Sequence, residues 1–459
     1  MILSIAVCIA ALFFLLWQLQ RDGRTLGLPF AYLATLLLTQ VPGAFALLVG
    51  RDMLEGYDEV EIGIQYGAIA ACCFVLGVWI ARARRGPPPK PVRADRRSFW
   101  SFCVIGGWVF VYGLTPFVKV PSLGALIEAG GAIWLLGVLL GLRSAVAAKD
   151  ASRIVMWTGA LLVYPVLMLL LGGFLSYGTS AVILVASGLL VTTRQFVKSV
   201  AVVVVAALVG INLFVVYFEG REDIRESVWG GAAMHDRVAT VSSVFAHSHI
   251  FDPNSRQDLN ALSQRLNQNL FIGLSASRLH DGEVQYLNGQ SIADGVLALV
   301  PRAFWPDKPV TGGSGKIVAD MTGLQLNEDT SWGVGNVMEF YINFGLPGLV
   351  VGFVALGWLI ATLDLKASDA ERRAQFGDIF LFFLPATALV QPLSSIVETS
   401  GSAASALIAA FGWRWLWRTW IATKARPPPL RSGPGPNMLV RRETDEPARL
   451  RPAAEPKLP

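Results

Sequence analysis

Long apolar stretches, separated by short polar connections, make up most of the chain. Most of these stretches are long enough to cross a hydrocarbon core of roughly 30 Å as helices. The pattern therefore predicts an all-α polytopic membrane protein. Eleven transmembrane helices are expected, near residues 2–18, 27–50, 62–81, 99–115, 124–142, 154–173, 177–192, 199–217, 346–363, 378–393 and 402–421.

The composition agrees with this interpretation. Of the 459 residues, 53% are hydrophobic and only 15% are charged, whereas a soluble protein carries about a quarter charged residues. The net charge of +5 does not indicate nucleic-acid binding, because the basic residues follow the expected membrane topology. All four cysteines lie in predicted spans, which indicates neither a disulfide framework nor a thiolate metal site.

Lysine and arginine residues are concentrated on alternate connections between the predicted spans. Those connections and the carboxyl-terminal tail hold 26 of them, whereas the short connections on the opposite side hold only Arg51 and Lys119. Because basic residues stay on the cytoplasmic side, this bias predicts an amino terminus outside and a carboxyl terminus in the cytoplasm. The proline-rich, charged residues 422–459 predict a disordered cytoplasmic tail.

One connection is far longer than the others and faces outward in this topology. Residues 218–345 hold nine basic residues, fifteen acidic residues and all four histidines of the chain. Apolar residues at helical spacing predict amphipathic helices at 233–250 and 259–270, the second capped by Asn254 or Ser255. The chain is therefore expected to divide into transmembrane residues 1–217, an external segment 218–345, transmembrane residues 346–421 and a tail 422–459.

A polar stretch, LVPRAFWPDKPVTGGSGK at 299–316, contrasts with the apolar chain around it. Its prolines and glycines predict irregular structure. Its end, GGSGK, departs from the phosphate-loop pattern, because Val310 replaces the first glycine and Ile317 follows the lysine. Consecutive backbone N–H groups, together with Lys316, could nevertheless hold a phosphate group.

The external segment carries three cations, Arg302, Lys308 and Lys316, on the side of the membrane where topology requires no positive charge. Such cations are suited to binding an anionic headgroup. Trp305 could stack on a sugar ring or lie at the membrane interface. An ion pair of Arg302 or Lys308 with Asp307 is the structural alternative.

Further candidates lie on either side of this stretch. Glu339 and Tyr341 are close to the point where the chain re-enters the membrane, and a carboxylate there is costly to bury without a partner or a role. The histidines at 247 and 249 would bind a metal only with partners that the spacing does not reveal. The polar faces of the two amphipathic helices carry Arg237, Arg265, Asn269 and Arg278.

The chain resembles the bacterial oligosaccharide repeat-unit polymerases of the Wzy type. The similarity lies in PRAFWPDKP at 301–309, the glycine-rich residues after it, and EFYINFGLPG at 339–348. The similarity in topology covers nearly the whole chain, and the motifs are confined to about 260–348. Some members carry an arginine where this chain has GGFLSYGTS at 172–180, a segment with no arginine.

This resemblance implies a GT-C-like fold and an integral membrane glycosyltransferase of the bacterial cytoplasmic (inner) membrane. The implied reaction joins oligosaccharide repeat units, carried on undecaprenyl pyrophosphate, into an O-antigen or exopolysaccharide. A chain-length regulator is a candidate protein partner. The resemblance implies chemistry without a metal or another cofactor.

In that reaction an acceptor hydroxyl attacks the anomeric carbon and undecaprenyl pyrophosphate leaves, which requires cations and a base. The resemblance makes Arg302 and Glu339 the strongest catalytic candidates. His280 is the alternative base to Glu339, and the carboxylates Asp281, Glu283 and Asp329 compete for the same role. The residues expected to contact pyrophosphate or sugar are Arg265, Arg278, Lys308, Lys316, Trp305 and Tyr341.

Other functions fit parts of the same pattern. An O-antigen ligase would share this architecture but transfer finished polymer to another acceptor. The external residues Asp52, Glu55 and Asp58 resemble the acidic first loops of monophosphate-sugar transferases. A lipid-linked oligosaccharide flippase would carry ionisable residues at mid-depth of its spans, where the predicted helices hold few.

Overall fold

A computed structural model of the chain describes residues 1–92, 96–114, 123–246, 249–300, 305, 313–325 and 332–424. Within these ranges every regular element is helical. The helices are α1 (Ile2–Asp22), α2 (Leu28–Leu38), α3 (Val41–Val49), α4 (Tyr57–Ala83), α5 (Arg96–Leu114), α6 (Leu123–Gly131), α7 (Ile133–Ala147), α8 (Ala151–Gly172), α9 (Ser176–Leu190), α10 (Phe196–Trp229), α11 (Met234–Ala246), α12 (Arg256–Arg265), α13 (Asn269–His280), α14 (Gln290–Ala298), α15 (Ser314–Thr322), α16 (Asn336–Arg372), α17 (Phe376–Leu389) and α18 (Ile396–Lys424).

The predicted apolar spans all fall on helices or on pairs of consecutive helices. In the described part of the chain, seven helical segments are long and apolar enough to cross a membrane, as expected of a multi-pass membrane protein. Two shorter apolar helices accompany them, at Gly178–Leu190 and Phe376–Leu389. The seven segments are Ile2–Asp22, Leu28–Val49, Tyr57–Ala83, Gly124–Ala147, Ala151–Gly172, Phe196–Trp229 and Asn336–Arg372.

Two interruptions between helices, which the apolar pattern does not predict, are hydrogen-bonded to each other. The predicted helix at 259–270 is wrong in extent, because α12 ends at Arg265 and α13 begins at Asn269. Between them, the Leu266 carbonyl accepts a hydrogen bond from the Gly43 N–H at 3.0 Å, and the Gln268 N–H donates to the Thr39 carbonyl at 2.9 Å. Backbone groups left free at the α2–α3 break are thus satisfied by the α12–α13 break.

Two further elements differ from their predicted extents. The irregular structure predicted through residue 316 is wrong at its end, since α15 already begins at Ser314, beyond the last proline of the stretch. The span predicted to end at residue 217 continues as α10 to Trp229. At about 1.5 Å per residue, α10 is about 51 Å long, which exceeds the hydrocarbon thickness of about 30 Å. Its last turns therefore project beyond the hydrocarbon core.

Helix α4 lies at the centre of the bundle and approaches two neighbours backbone to backbone. Gly77 of α4 faces the Val354 carbonyl of α16, and Gly357 of α16 faces the Phe74 carbonyl of α4. Near the other end of α4, Gly63 faces the Asn269 carbonyl of α13. A Cβ atom at any of these glycines would overlap the facing oxygen, so small residues permit this packing.

The carboxyl-terminal ends of α4 and α16 meet at one end of the bundle, which we call the ion-pair end. There the guanidinium of Arg24 binds both carboxylate oxygens of Asp369, at 3.1 and 2.7 Å. The fully buried Asp364 carboxylate accepts hydrogen bonds from Arg82 at 3.1 Å and from the Leu26 N–H at 2.9 Å. The amino-terminal ends of α4 and α16 lie beside α13 at the opposite end, the cap end, which is formed by α11–α15.

The glycine contacts of α4 predict that an added methyl group destabilises the protein at these positions and not at an open glycine. We expect Gly77→Ala to lower the stability of the folded protein by about 1–3 kcal/mol, because the new methyl group meets a main-chain oxygen that cannot rotate away. Gly210→Ala on α10 is the matched control, since nothing lies within 4 Å of its Cβ position. The measurement is thermal unfolding of both purified variants in the same detergent. Equal melting temperatures for the two variants would contradict the packing described above.

Candidate functional site

The projecting end of α10 carries two arginines one helical turn apart, Arg221 and Arg225. Arg225 lies against the α8–α9 turn, with its guanidinium carbon 5.1 Å from the ring centre of Phe174. Gly173 in that turn has a positive φ of 73°, and a Cβ there would contact Arg225 at 3.3 Å. The segment 172–180 contains no arginine of its own, and Arg225 of α10 brings one to it.

A third arginine, Arg265 at the end of α12, lies near Arg221 and Arg225. Its guanidinium carbon lies 4.6 Å from the ring centre of Trp332, which in turn packs edge-on against Phe271. Partial burial, followed by the positive charges of Arg221 and Arg225, lowers the pKa of Arg265. The positive charges of Arg221 and Arg225 therefore act on the Arg265 guanidinium.

This arginine cluster, Arg221, Arg225 and Arg265, has little compensating negative charge. In the described residues no carboxylate lies within ion-pair distance of Arg225 or Arg265, and Arg221 has only the exposed Glu222 at 3.9 Å. The Nε atom of Arg225 is buried and has no hydrogen-bond partner among the described residues. An anion that binds between neighbouring arginines relieves their repulsion and accepts strong hydrogen bonds from them. The cluster is thus a candidate site for an anionic group at the cap end.

Glu339 occupies a second candidate position at the cap end. It is fully buried in the first turn of α16, before a break at Phe344 and Gly345, where φ of Gly345 is 63°. Its Oε2 accepts a hydrogen bond from the Ile396 N–H at 2.7 Å, and the Ser291 hydroxyl lies beside the carboxylate, whereas Oε1 is buried without a well-formed hydrogen bond to any described residue. A carboxylate oxygen of this kind is free to accept a proton or a hydroxyl hydrogen bond from a bound molecule.

The partner of Glu339 belongs to the amino terminus of α18. Ser395 and Glu398 form a reciprocal cap there, in which the Glu398 N–H donates to the Ser395 hydroxyl at 3.1 Å and the Ser395 N–H donates to Glu398 at 3.0 Å. The other oxygen of Glu398 accepts from the Ser314 hydroxyl at 2.7 Å. The first turn of α15, which includes Lys316, is therefore tied to the helix end that Glu339 caps.

The remaining predicted site residues are dispersed. Arg278 donates to Glu283 at 2.9 Å and to the Asp320 carbonyl at 3.1 Å, so local partners occupy it. Tyr341 is buried and stacks on Tyr66 with ring centres 4.5 Å apart. The side chains of His280, Trp305 and Lys316 are exposed. Arg302, Lys308 and Asp329 lie outside the described residues.

The structure supplies the partners of His249 that its spacing does not reveal. Its Nε2 lies 3.0 Å from an oxygen of the buried Asp258, and its Nδ1 lies 3.6 Å from an oxygen of Glu219. These three residues are the group in the described chain whose ligand atoms are near enough to hold a metal. Because the two ring nitrogens face different carboxylates, the arrangement suits a protonated imidazole better than a single ion bound by all three.

Arg221, Arg225 and Glu398 are not among the site residues predicted from the sequence. The first two belong to REDIRE at 221–226, whose polar character suggested a connection after the membrane span. Their four-residue spacing is the signal for one helical face, and it is informative only once the helix is known to continue. Glu398 precedes the predicted span at 402–421, and S-x-x-E at 395–398 is the capping signature that would have marked it.

Comparisons with known proteins identify a family but no characterised relative. A family model described as a domain of unknown function (DUF8712) matches residues 62–386. This range includes the arginine cluster and Glu339. No curated protein and no solved structure matches the chain significantly.

The His249 contacts predict that α12 is held more firmly in acid than in alkali. Hydrogen bonding to Asp258, with its charge and that of Glu219, raises the pKa of His249 above the ordinary value of 6.5. Burial disfavours the ionised form of Asp258, but hydrogen bonds from the Asp252 N–H, His249 and Ser255 outweigh it and lower the pKa of that carboxyl. The stabilisation by His249 is therefore complete below pH 6.5 and is lost as the pH rises through its raised pKa.

We expect amide exchange to report this loss. Protection factors of α12 should be higher in the native protein than in His249→Gln at acidic pH, and the difference should close in alkaline buffer. His235→Gln is the control, since His235 is exposed and contacts only the neighbouring Asp236. A difference that stays constant with pH would mean that His249 is neutral in the folded protein.

Proposed function

The chain belongs to the DUF8712 family, and we propose that it is an integral membrane glycosyltransferase that polymerises oligosaccharide repeat units carried on undecaprenyl pyrophosphate. The product would be an O-antigen or exopolysaccharide, made at the outer face of the bacterial cytoplasmic membrane. The proposal joins the resemblance to Wzy-type polymerases with the chemistry available at the cap end.

The arginine cluster is the observation that carries this proposal. A lipid pyrophosphate is held at the membrane surface with a concentrated negative charge, and arginine binds phosphate oxygens through paired N–H donors. Arg225 and Arg265 have no carboxylate partner in the described chain, and both pack against aromatic rings that hold their guanidinium planes. In this scheme they bind the donor pyrophosphate and stabilise the charge that develops as it leaves.

Glu339 is the proposed general base. The acceptor hydroxyl would transfer its proton to Oε1 while its oxygen forms the new bond to the anomeric carbon of the donor. The bond between that carbon and the pyrophosphate oxygen breaks, and undecaprenyl pyrophosphate leaves with the electron pair. The capping bond from Ile396 would hold Oε2 fixed, so that the free oxygen keeps its position.

The first test replaces the arginines one at a time. We expect Arg225→Gln and Arg265→Gln each to slow polymer formation roughly a hundredfold or more, since each removes charge stabilisation of the leaving group. Arg256→Gln is the matched control, because Arg256 lies exposed at the other end of α12. The measurement is the ladder of surface glycan in a strain lacking the chromosomal gene, complemented with each variant at equal expression.

The ladder also separates the proposal from its alternatives. Loss of a polymerase leaves single repeat units, whereas loss of an O-antigen ligase leaves full-length chains that are not attached to their acceptor. Loss of a flippase leaves no repeat units outside. Arg302→Ala, from the segment that carries the resemblance, should behave as the cluster variants do. Normal polymer length in Arg225→Gln and Arg265→Gln would contradict the assigned site.

Glu339 requires a variant that separates its two roles. Glu339→Gln keeps an oxygen that can accept the Ile396 N–H but cannot receive a proton, so we expect a loss of about 10²–10⁴ in turnover with an unchanged melting temperature. Glu339→Ala removes both functions and should lower the melting temperature as well. If Glu339→Gln retained full turnover, Glu339 would be a helix cap and not the base.

A further inference from the structure

A cavity of about 390 Å³ lies at the ion-pair end, where four helices terminate or pass. It is lined by Arg85 just beyond α4, the last turns of α16, the first turns of α17 and the second half of α18. Its position at the ends of membrane-crossing helices places it at the depth of lipid headgroups. Its lining includes Arg85, Lys366, Arg373, Gln375, Phe382 and Arg414.

Three exposed cations of this cavity have no carboxylate partner among the described residues. Two carboxylates also line it, but Asp369 is bound by Arg24 at 2.7 Å and Asp378 is bound by Arg414 at 2.7 Å. In the described part of the chain, no carboxylate lies within ion-pair distance of the other three basic side chains. These are Arg85, Lys366 and Arg373.

The amino terminus of α17 lies at the same cavity, which its N-cap residue Gln375 and its first-turn residue Asp378 line. Among the described residues, Gln375 makes no side-chain capping bond with the helix. The positive end of the dipole of this 14-residue helix favours an anion nearby. The cations and the helix dipole therefore favour the same ligand, a phosphate-bearing group.

The wall beside these cations is apolar. Leu381 and Phe382 of α17 line it, and the ammonium group of Lys366 lies 5.4 Å from the ring centre of Phe382. A free phosphate would gain nothing from this surface, whereas the glycerol and acyl chains of a phospholipid would cover it. Basic pockets between membrane helices recognise lipid headgroups in this way.

We propose that this cavity is a binding site for an anionic phospholipid, which places its phosphate among Arg85, Lys366 and Arg373 and its acyl chains along Leu381 and Phe382. The site is at the end of the bundle away from Glu339 and the arginine cluster. The proposal is thus independent of the polymerase function, and either can fail without the other.

The test is lipid retention by the full-length protein. The protein is reconstituted in mixed phosphatidylglycerol and phosphatidylcholine vesicles, extracted in mild detergent and examined by native mass spectrometry. We expect preferential retention of phosphatidylglycerol, weakened roughly tenfold in the double variant Lys366→Gln with Arg373→Gln. Lys149→Gln with Lys198→Gln is the charge-matched control, since both of these lysines are exposed and outside the cavity.

Each outcome decides the proposal. Selective loss of phosphatidylglycerol from the cavity variant, with the control unchanged, supports it. Equal retention by the cavity variant and the native protein overturns it. If inorganic phosphate raises the melting temperature as much as phosphatidylglycerol does, the site takes a soluble phosphate and the lipid assignment is overturned. If the first double variant folds poorly, phosphatidylglycerol retention is measured in a second one, Arg85→Gln with Lys366→Gln.

Discussion

The central helix α4 packs backbone to backbone against α13 and α16, and the two parts of the candidate site are positioned by this contact. Backbones meet at Gly63, Gly77 and Gly357 without intervening side chains. Helices in lipid gain little from the hydrophobic effect, so such contacts supply much of their association. Because α13 follows α12 and α16 carries Glu339, the packing of one central helix positions both parts of the candidate site.

Charge is handled differently in the buried ion pairs of the ion-pair end and in the candidate site of the cap end. At the ion-pair end, Arg24 and Arg82 are matched by Asp369 and Asp364, and the carboxylates accept hydrogen bonds that make their burial tolerable. At the cap end, the positive charges of Arg221 and Arg225 act on Arg265, and one carboxylate oxygen of Glu339 lacks a well-formed hydrogen bond within the described chain. Such uncompensated polar groups are destabilising unless a ligand completes them, and this contrast is what distinguishes a candidate site from structural ion pairs.

Hydropathy alone predicts where the seven long apolar helices of the described chain lie, because these apolar stretches are long and bounded by polar residues. It does not predict the break at Thr39, whose carbonyl is satisfied by Gln268 more than two hundred residues later. A local pattern carries no information about such a partner. For the same reason the extension of α10 is missed, since polar residues beyond the membrane resemble a loop.

The candidate site divides in the same way. Glu339 can be singled out from sequence because a carboxylate in an apolar helix is costly wherever its partners are. Its capping contact with the Ile396 N–H cannot be predicted in this way, because every residue except proline carries the same backbone donor. Arg225 is a similar case. Only the packing of α10 on the α8–α9 turn places its guanidinium beside Phe174, in a segment that has no arginine of its own.

We propose that the cap end transfers a glycan from undecaprenyl pyrophosphate to a second lipid-linked repeat unit. The most direct measurement supplies purified full-length protein with a defined undecaprenyl-pyrophosphate oligosaccharide and follows polymer length and released undecaprenyl pyrophosphate, with and without a chelator. We expect polymer with stoichiometric release of the lipid carrier, unchanged by the chelator. Unaltered single repeat units, under conditions where the protein remains folded, would contradict it.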